Sequence, residues 1–192
     1  MSLPVNPIYL SFLNDEDVQV ISSLISYKQV KKNTILISRD KPVNDVYYVQ
    51  KGIVRLFMVN QEGEEINTHF AWNGMFITSF YSLINNKPSD EAVIAITDCE
   101  LYHFRYQDLA ALFDKHPKIE RLGRILSEEA FCCLAERSRM LQTLTAGERY
   151  LHMMENTPKE FFLQISLQDI ASYLGIAPGS LSRIRNEFLH KG

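Results

Sequence analysis

The chain has 192 residues, of which 46% are hydrophobic, and this is enough to form one large core or two modest ones. Its formal net charge is only −3, so overall charge gives no argument for nucleic-acid binding, and any such contact needs a local patch. Three cysteines are too few for a disulfide framework, and neither a run of ~18 apolar residues nor a signal peptide occurs; a reduced, cytoplasmic protein with no membrane partner is expected.

The sequence pattern of the first half of the chain predicts one helix followed by strands. Residues 8–26 carry apolar side chains at helical spacing behind a start signal at Asn14 or Asp15, which predicts a short amphipathic helix. From about residue 28 to 105, short β-branched and aromatic runs alternate with turn residues. The runs are residues 34–37, 46–49, 53–57, 66–70, 92–96 and 101–104. Short strands at regular spacing predict an antiparallel sandwich or barrel.

Helical patterns dominate the second half. Residues 108–113 predict a short helix, and a long helix is expected from Pro117, since proline suits a first helical turn, to about Leu141. One apolar stripe of this helix is predicted to form the seam of a dimer: Ile119, Leu122, Leu126, Ala130 and Cys133. Thr145 and Glu148 fit the capping box of a further helix, which should end at Thr157.

The segment from residue 165 to 189 predicts two short helices joined by a tight turn. Ser166 can cap the first helix, with Asp169 favouring its positive end, and Gly175 can adopt the positive φ that stops it. Pro178 fits the first turn of the second helix. The buried side of that helix is expected to consist of Leu181, Ile184 and Phe188.

The opposite side of the second helix is small or polar. It presents Gly179, Ser182, Arg183 and Asn186. Arginine suits guanine and asparagine suits adenine in the major groove, so the pattern predicts a helix-turn-helix that reads DNA bases. The alternative is a helical hairpin that packs against another part of the protein, but such a hairpin would not need so polar an outer side.

The sequence IASYLGIAPGSLSRIR at residues 170–185 resembles the helix-turn-helix of the Crp/Fnr family, of the catabolite activator type. The sequence VYYVQKGIVR at residues 46–55 resembles the central hairpin of that family's β-roll. The resemblance covers nearly the whole chain. It implies an α+β protein with an N-terminal antiparallel β-roll (a cyclic-nucleotide-binding-like jelly roll), a long dimerisation helix and a C-terminal helix-turn-helix domain.

The same resemblance divides the chain into three parts. It implies a β-roll sensor domain over residues 1–116, a dimerisation helix over residues 117–141 and a DNA-binding domain over residues 142–192. Family members continue into a winged hairpin after the recognition helix. This sequence stops at Gly192, so the wing is expected to be short or absent.

The resemblance also implies roles for single residues. Arg183 matches the position of the family's base-reading arginine, Ser180 that of a phosphate-contacting hydroxyl, and Gln168 a backbone contact of the first helix. Ser166 could add a phosphate contact from the helix start. For Arg185, a phosphate contact and an intramolecular salt bridge remain equal alternatives. Because Pro178 and Gly179 replace longer polar residues of other members, the target sequence should differ.

The ligand pocket departs from the family pattern. Members that bind cyclic nucleotides hold the cyclic phosphate with a Gly-Glu pair and an Arg-Ser pair followed by Ala. The matching residues here are Thr78 and Ser79, and then Asp90 and Glu91 before Ala92. In a desolvated pocket, the electrostatic repulsion between an acidic pair and a phosphate costs on the order of several kcal/mol. This argues against cAMP and cGMP as effectors.

Met75 and Phe76 complete the candidate effector pocket with those four polar residues, although both are more simply read as part of the β-roll core. The pocket is expected to be vestigial or to take an uncharged or cationic molecule. No cofactor is expected. Cys99, Cys132 and Cys133 do not form the cysteine cluster of the family's iron–sulfur members, and an isolated histidine on a strand is poor evidence for haem.

Two rival functions stay open. A cupin-like β-barrel enzyme would need paired histidines with a carboxylate on neighbouring strands, and His69 and His103 are not so paired. A cyclic-nucleotide or other small-molecule binding module without DNA function is the second rival. The leading expectation is a non-enzymatic homodimer whose two recognition helices lie roughly 34 Å apart on a palindromic double-stranded DNA operator, with RNA polymerase as a further candidate partner.

Overall fold

The computed structural model describes residues 11–189 of the chain. The strands in this range are β1 (Ser26–Val30), β2 (Ile35–Ile37), β3 (Asp45–Lys51), β4 (Val54–Val59), β5 (Glu65–Ala71), β6 (Phe76–Ile77), β7 (Glu91–Ala95) and β8 (Cys99–Arg105). The helices are α1 (Asp15–Leu24), α2 (Phe80–Asn85), α3 (Tyr106–Ala110), α4 (Pro117–Thr143), α5 (Ala146–Asn156), α6 (Lys159–Phe162), α7 (Leu167–Leu174) and α8 (Pro178–Leu189). The predicted β-roll, long helix and C-terminal helices are therefore present in the predicted order.

The β-roll consists of two four-stranded antiparallel sheets. Their strand orders are β1-β8-β3-β6 and β2-β7-β4-β5. The core between them contains Val49, Val54, Val93 and Leu101, none of which is exposed to solvent. Sequence reasoning missed β1 and β6. Four of the five residues of β1 are exposed and so give no alternating pattern, and β6 has only two residues.

The N-terminal helix and the start of α4 share a small core of their own. Asn14 caps α1 in a reciprocal capping box with Asp17, so the helix begins at the predicted signal. The shared core contains Ile21, Leu109 and residues from the first turns of α4. The predicted helix residues 8–10 lie outside the described range.

Helix α4 begins at the expected proline, but the prediction of its dimer seam is wrong at two of the five positions. Ile119 and Leu122 are buried against α1 and α3 of the same chain, and the half-buried Leu126 packs on the same cluster. The buried side chains of Ile119 and Leu122 cannot also pack across a dimer, whereas Leu126 keeps part of its surface exposed. Ala130 is half-buried and Cys133 is exposed.

The free apolar surface of α4 lies further along the helix. Phe131 is 72% exposed, Leu134 54% and Leu141 40%, at spacings that place them on one side of an α-helix. Although α4 has 27 residues, neither it nor another helix between residues 11 and 189 has the apolar length needed to cross a membrane.

The C-terminal helices pack into a third core. Thr145 and Glu148 form the predicted capping box of α5, and the short α6, which was not predicted, contributes the buried Phe161. This core does not end at the helices, because Ile53 and Phe70 of the β-roll belong to the same cluster of buried residues. The helix-turn-helix is thus docked on the outside of the β2-β7-β4-β5 sheet.

Candidate nucleic-acid interface

The turn between α7 and α8 has the local chemistry of a helix-turn-helix. The Ser166 hydroxyl accepts a hydrogen bond from the main-chain N–H of Asp169 over 3.0 Å and so caps α7. Gly175 ends that helix with a φ of +64°, a conformation in which glycine avoids the penalty that a Cβ would bring. Pro178 then opens α8.

Buried apolar residues fix the orientation of α8. Leu181 is fully buried between Ala171 and Leu174 of α7 and the residues beneath them. Ile184 and Phe188 are half-buried in the same cluster, and the Phe188 ring lies 6.2 Å from that of Tyr150. With these residues anchored, the other side of α8 must face solvent.

The four candidate base-reading residues lie together on that solvent side. Gly179, Ser182, Arg183 and Asn186 are all exposed. The Ser182 hydroxyl donates to the main-chain oxygen of Pro178 over 3.2 Å, while the Arg183 guanidinium forms no hydrogen bond or ion pair with another residue of the described range. A free guanidinium beside small residues is the arrangement that a helix needs to approach base edges.

The candidate phosphate contacts flank this surface. Ser166, Gln168 and Ser180 are exposed at the starts of α7 and α8, although the Ser166 hydroxyl also donates to the Asp169 carboxylate over 2.6 Å. Arg185 is half-buried in a groove between α5 and α8, beside Leu151 and Met154. Between residues 11 and 189 it has no salt-bridge partner.

Two of the six candidate effector-pocket residues, Ser79 and Glu91, are joined by a hydrogen bond. The Ser79 hydroxyl is fully buried, accepts a hydrogen bond from Ser89 over 2.9 Å and donates one to the Glu91 carboxylate over 2.6 Å. The Thr68 hydroxyl lies 3.5 Å from the same carboxylate. Burial raises the pKa of Glu91, although the hydrogen bonds from Ser79 and Thr68 act in the opposite direction.

The other four residues have separate environments. Met75 packs against the β-roll core, and the Phe76 ring lies 5.0 Å from that of Tyr48. Thr78 donates to the main-chain oxygen of Asp45 over 2.9 Å. Asp90 is exposed, so the expectation that both acidic residues line one pocket is wrong, and only Glu91 is half-buried.

Sequence reasoning missed a set of polar residues between the β-roll and α7. Asn67 is fully buried there, with hydrogen bonds to Arg55 and Asp169. Asparagine is uncommon in strands, so its position in the run 66–70 was the one signal that could have drawn attention to it. Its partners are 12 and 102 residues away in sequence, and no local pattern connects them.

Comparison with known proteins agrees with this architecture. The family model of the cyclic nucleotide-binding domain matches residues 27–116. The anaerobic regulatory protein of Haemophilus influenzae is 25% identical over 193 aligned residues, which cover 94% of this chain and 74% of that protein. The match to this relative therefore includes both the β-roll and the C-terminal helices.

Solved structures share the fold. FixK2 of Bradyrhizobium japonicum superposes with a TM-score of 0.75 at 21% identity, covering 88% of this chain and 86% of that one. A transcriptional regulator of the Crp/Fnr family from Eubacterium rectale gives a TM-score of 0.72 at 17% identity, covering 97% and 88%. The chain therefore contains a cyclic nucleotide-binding domain, and over nearly its whole length it is similar to transcription regulators of the Crp/Fnr type, with the β-roll, long helix and helix-turn-helix in the same order.

Proposed function

We propose that this chain is a transcription regulator of the Crp/Fnr type, a homodimer that binds a palindromic double-stranded DNA operator through α8. The main observation in support of this proposal is that α8 has an exposed polar side opposite its packed residues Leu181, Ile184 and Phe188. The residues proposed to read bases are Gly179, Ser182, Arg183 and Asn186. The residues proposed to contact phosphates are Ser166, Gln168, Ser180 and Arg185.

The chemistry of this side suits the major groove. The Arg183 guanidinium can donate two hydrogen bonds to the O6 and N7 atoms of one guanine, and the Asn186 amide can pair with adenine. Gly179 and Ser182 are small enough to let the helix backbone come close to the bases. Ser166 and Gln168 lie at the start of α7, where main-chain N–H groups and the helix dipole favour a phosphate.

The proposed dimer forms through the exposed part of α4. Phe131, Leu134 and Leu141 follow each other at spacings of three and seven residues, as on the contact side of a coiled coil. Ala130 and Cys133 of the predicted seam lie next to them and remain part of the proposal. Pairing two such helices about a two-fold axis would set the two α8 helices on successive grooves, roughly 34 Å apart.

We further propose that the β-roll binds neither cAMP nor cGMP. The half-buried Glu91 carboxylate already accepts the hydrogen bond of Ser79, and a cyclic phosphate placed beside it would meet a like charge in a partly desolvated space. An uncharged or cationic effector would not meet this repulsion. A cyclic-nucleotide module without DNA function is therefore the weaker candidate.

An enzymatic role has less support than regulation. Among residues 11–189, no three or more His, Cys, Asp or Glu side chains are grouped as a metal site would require, and the candidate base-reading residues include no nucleophile activated by a neighbouring base. We propose a non-enzymatic regulator that acts in the cytoplasm, where its three cysteines would stay reduced. RNA polymerase is a candidate partner on the bound DNA.

The test is selection of binding sites from random duplexes with the full chain. We expect an inverted repeat whose half-sites are about one helical turn apart. Arg183→Ala should cost about 1–3 kcal/mol at one base position per half-site, whereas Gln168→Ala should weaken binding to all sequences evenly. Lys159→Ala, which removes a positive charge from α6 of the same domain, is the control. Failure to enrich any sequence would contradict the proposed function.

A further inference from the structure

A buried polar junction connects the β-roll to the first helix of the helix-turn-helix. The side-chain amide of Asn67 on β5 donates to the main-chain oxygen of Asp169 over 3.1 Å and to its carboxylate over 3.0 Å. The main-chain N–H of Asn67 donates to the Ser172 hydroxyl over 2.9 Å, and Ser172 donates to the main-chain oxygen of Glu65 over 3.1 Å. One strand residue thus holds α7 at two places.

Two arginines complete this junction. Arg55 on β4 donates to the side-chain oxygen of Asn67 over 2.8 Å and to the Asp169 carboxylate over 3.3 Å. Arg137 on α4 donates to the main-chain oxygens of Asn67 over 3.1 Å and Tyr173 over 2.9 Å, and its guanidinium carbon lies 4.0 Å from the centre of the Tyr173 ring. The junction therefore connects the β4–β5 hairpin, α4 and α7.

The strand carrying Asn67 is irregular at this point. Leu56 pairs with His69 and Phe57 pairs with Asn67, so Thr68 is an extra residue in β5. Such a β-bulge turns the neighbouring side chains to new directions. The bulge stands directly beside the residue that reaches α7.

Aromatic packing supports the junction from one side. Phe70 and Trp72 of the β-roll lie 5.3 Å and 5.2 Å from the ring of Phe161 on α6. Apolar packing alone would tolerate several orientations, but the polar groups of Asn67 are all paired in only one of them. Trp72 is the only tryptophan of the chain, so it is an intrinsic fluorescent reporter of this contact.

We propose that Asn67 is a positioning residue for DNA reading, acting through Asp169 to fix the tilt of the helix-turn-helix on the β-roll. This inference rests on the proposed function, because it concerns the same reading surface. Arg183 and Asn186 stay exposed while α7 is docked, so docking leaves the reading side open. Without the junction, the reading module samples other tilts, and the affinity of the dimer for its operator falls with the population of the docked state.

Two variants of the full chain test this proposal. Asn67→Ala removes the centre of the junction without a change of charge. Asp169→Ala removes the carboxylate that accepts hydrogen bonds from Asn67 and Arg55 and keeps a residue that favours helix. Asp169→Ala is the more decisive variant, because its two possible effects have opposite signs. Loss of a negative charge near DNA would by itself raise the affinity, whereas loss of the positioning contact should lower it. Lys31→Ala, which breaks an ion pair to Asp98 on the exposed surface of the β-roll, is the matched control.

The first measurement needs no DNA. In both junction variants the emission of Trp72 should shift to the red, because the indole loses Phe161 and gains water, while circular dichroism keeps the helical signal. The second measurement is affinity for the selected operator. We expect a loss of about fivefold or more in both variants, with an unchanged slope of log K against log salt for Asn67→Ala, since its phosphate contacts are the same.

Each alternative result has a separate meaning. Trp72 emission equal to that of wild type in both variants would overturn the junction as the element that holds the docked state. Red-shifted emission with equal or tighter operator binding would overturn the positioning role. If Asn67→Ala does not fold, the emission and the operator affinity of Asp169→Ala alone test the proposal. A wild-type chain that binds no duplex would instead contradict the proposed function, independently of the Trp72 result.

Discussion

The Ser79 hydroxyl donates a hydrogen bond to the Glu91 carboxylate over 2.6 Å inside the β-roll. Two further hydroxyls, of Ser89 and Thr68, stand next to this pair. A protein that used this space for a cyclic phosphate would need positive charge there. The chain instead has a half-buried carboxylate there, and this has consequences for both stability and ligand choice.

The first prediction concerns the charge of Glu91. Because burial raises its pKa, the folded state favours the protonated carboxyl, and stability from this preference is present at low pH and is lost as pH rises through the folded-state pKa. Glu91→Gln keeps an acceptor for Ser79 and removes the charge. Thermal unfolding should therefore show a higher Tm than wild type at pH 7 and a smaller difference near pH 4.

A matched control for this change is Glu62→Gln, since Glu62 is exposed in the turn between β4 and β5. It should leave Tm unchanged at both pH values. A lower Tm for Glu91→Gln at pH 7 would mean that the ionised carboxylate stabilises the β-roll.

The second prediction concerns cyclic nucleotides. Calorimetric titration of the full chain with cAMP or cGMP should give no saturable heat, because the phosphate would approach the half-buried Glu91 without a compensating arginine. Saturable binding in the micromolar range would refute this prediction. It would also favour a cyclic-nucleotide sensor over a β-roll that has lost this ligand.

Local signals in the sequence predicted the elements that depend on local chemistry. Pro117 starts α4, the Thr145–Glu148 capping box starts α5, and Gly175 ends α7. Each of these signals acts through hydrogen bonds or φ angles within a few residues. The exposed side of α8 also followed from spacing, because Leu181 fixes which side is buried.

What could not be predicted depends on distant partners. The apolar stripe containing Ile119 and Leu122 has the same spacing whether it faces a second copy or α1 of its own chain, and only the tertiary structure distinguishes these alternatives. The contact of Asn67 with Asp169 joins residues that are 102 positions apart. Neither the bulge at Thr68 nor the docking of α7 on β5 has a local sequence signal.

The third prediction concerns His69 on β5. Burial, with a smaller contribution from the positive charge of Arg137, lowers the pKa of His69 to about 4. The folded state then favours the neutral ring, so this contribution to stability is present above pH 6.5 and is lost as pH falls toward 4. Below the folded-state pKa of His69, the free energy of unfolding would be lower by about 3 kcal/mol than above pH 6.5.

Chemical denaturation of wild type and His69→Asn between pH 7 and pH 4 measures this effect. The wild-type free energy of unfolding should fall more steeply than that of the variant, because asparagine does not titrate. Parallel curves for the two proteins would show that His69 is protonated in the folded state without cost.

The last prediction concerns the dimer. Phe131 is 72% exposed, more than any other residue of the free apolar side of α4, and an aromatic anchor of an interface can contribute about 2 kcal/mol or more. Phe131→Asp would place a like charge at the same point in both protomers, so the dissociation constant of the dimer should rise by more than about tenfold. Sedimentation velocity over a range of protein concentrations measures this change.

Leu163→Asp is the control for Phe131→Asp, because Leu163 is 85% exposed and lies just after α6 rather than on α4. The same gain of charge at this site should leave the dimer intact. Operator binding should weaken together with dimerisation in Phe131→Asp, since one helix-turn-helix alone reads only half of the palindrome. A Phe131→Asp protein that stays dimeric would require a contact surface other than the exposed part of α4, and the proposed distance between the two α8 helices would then lose its structural basis.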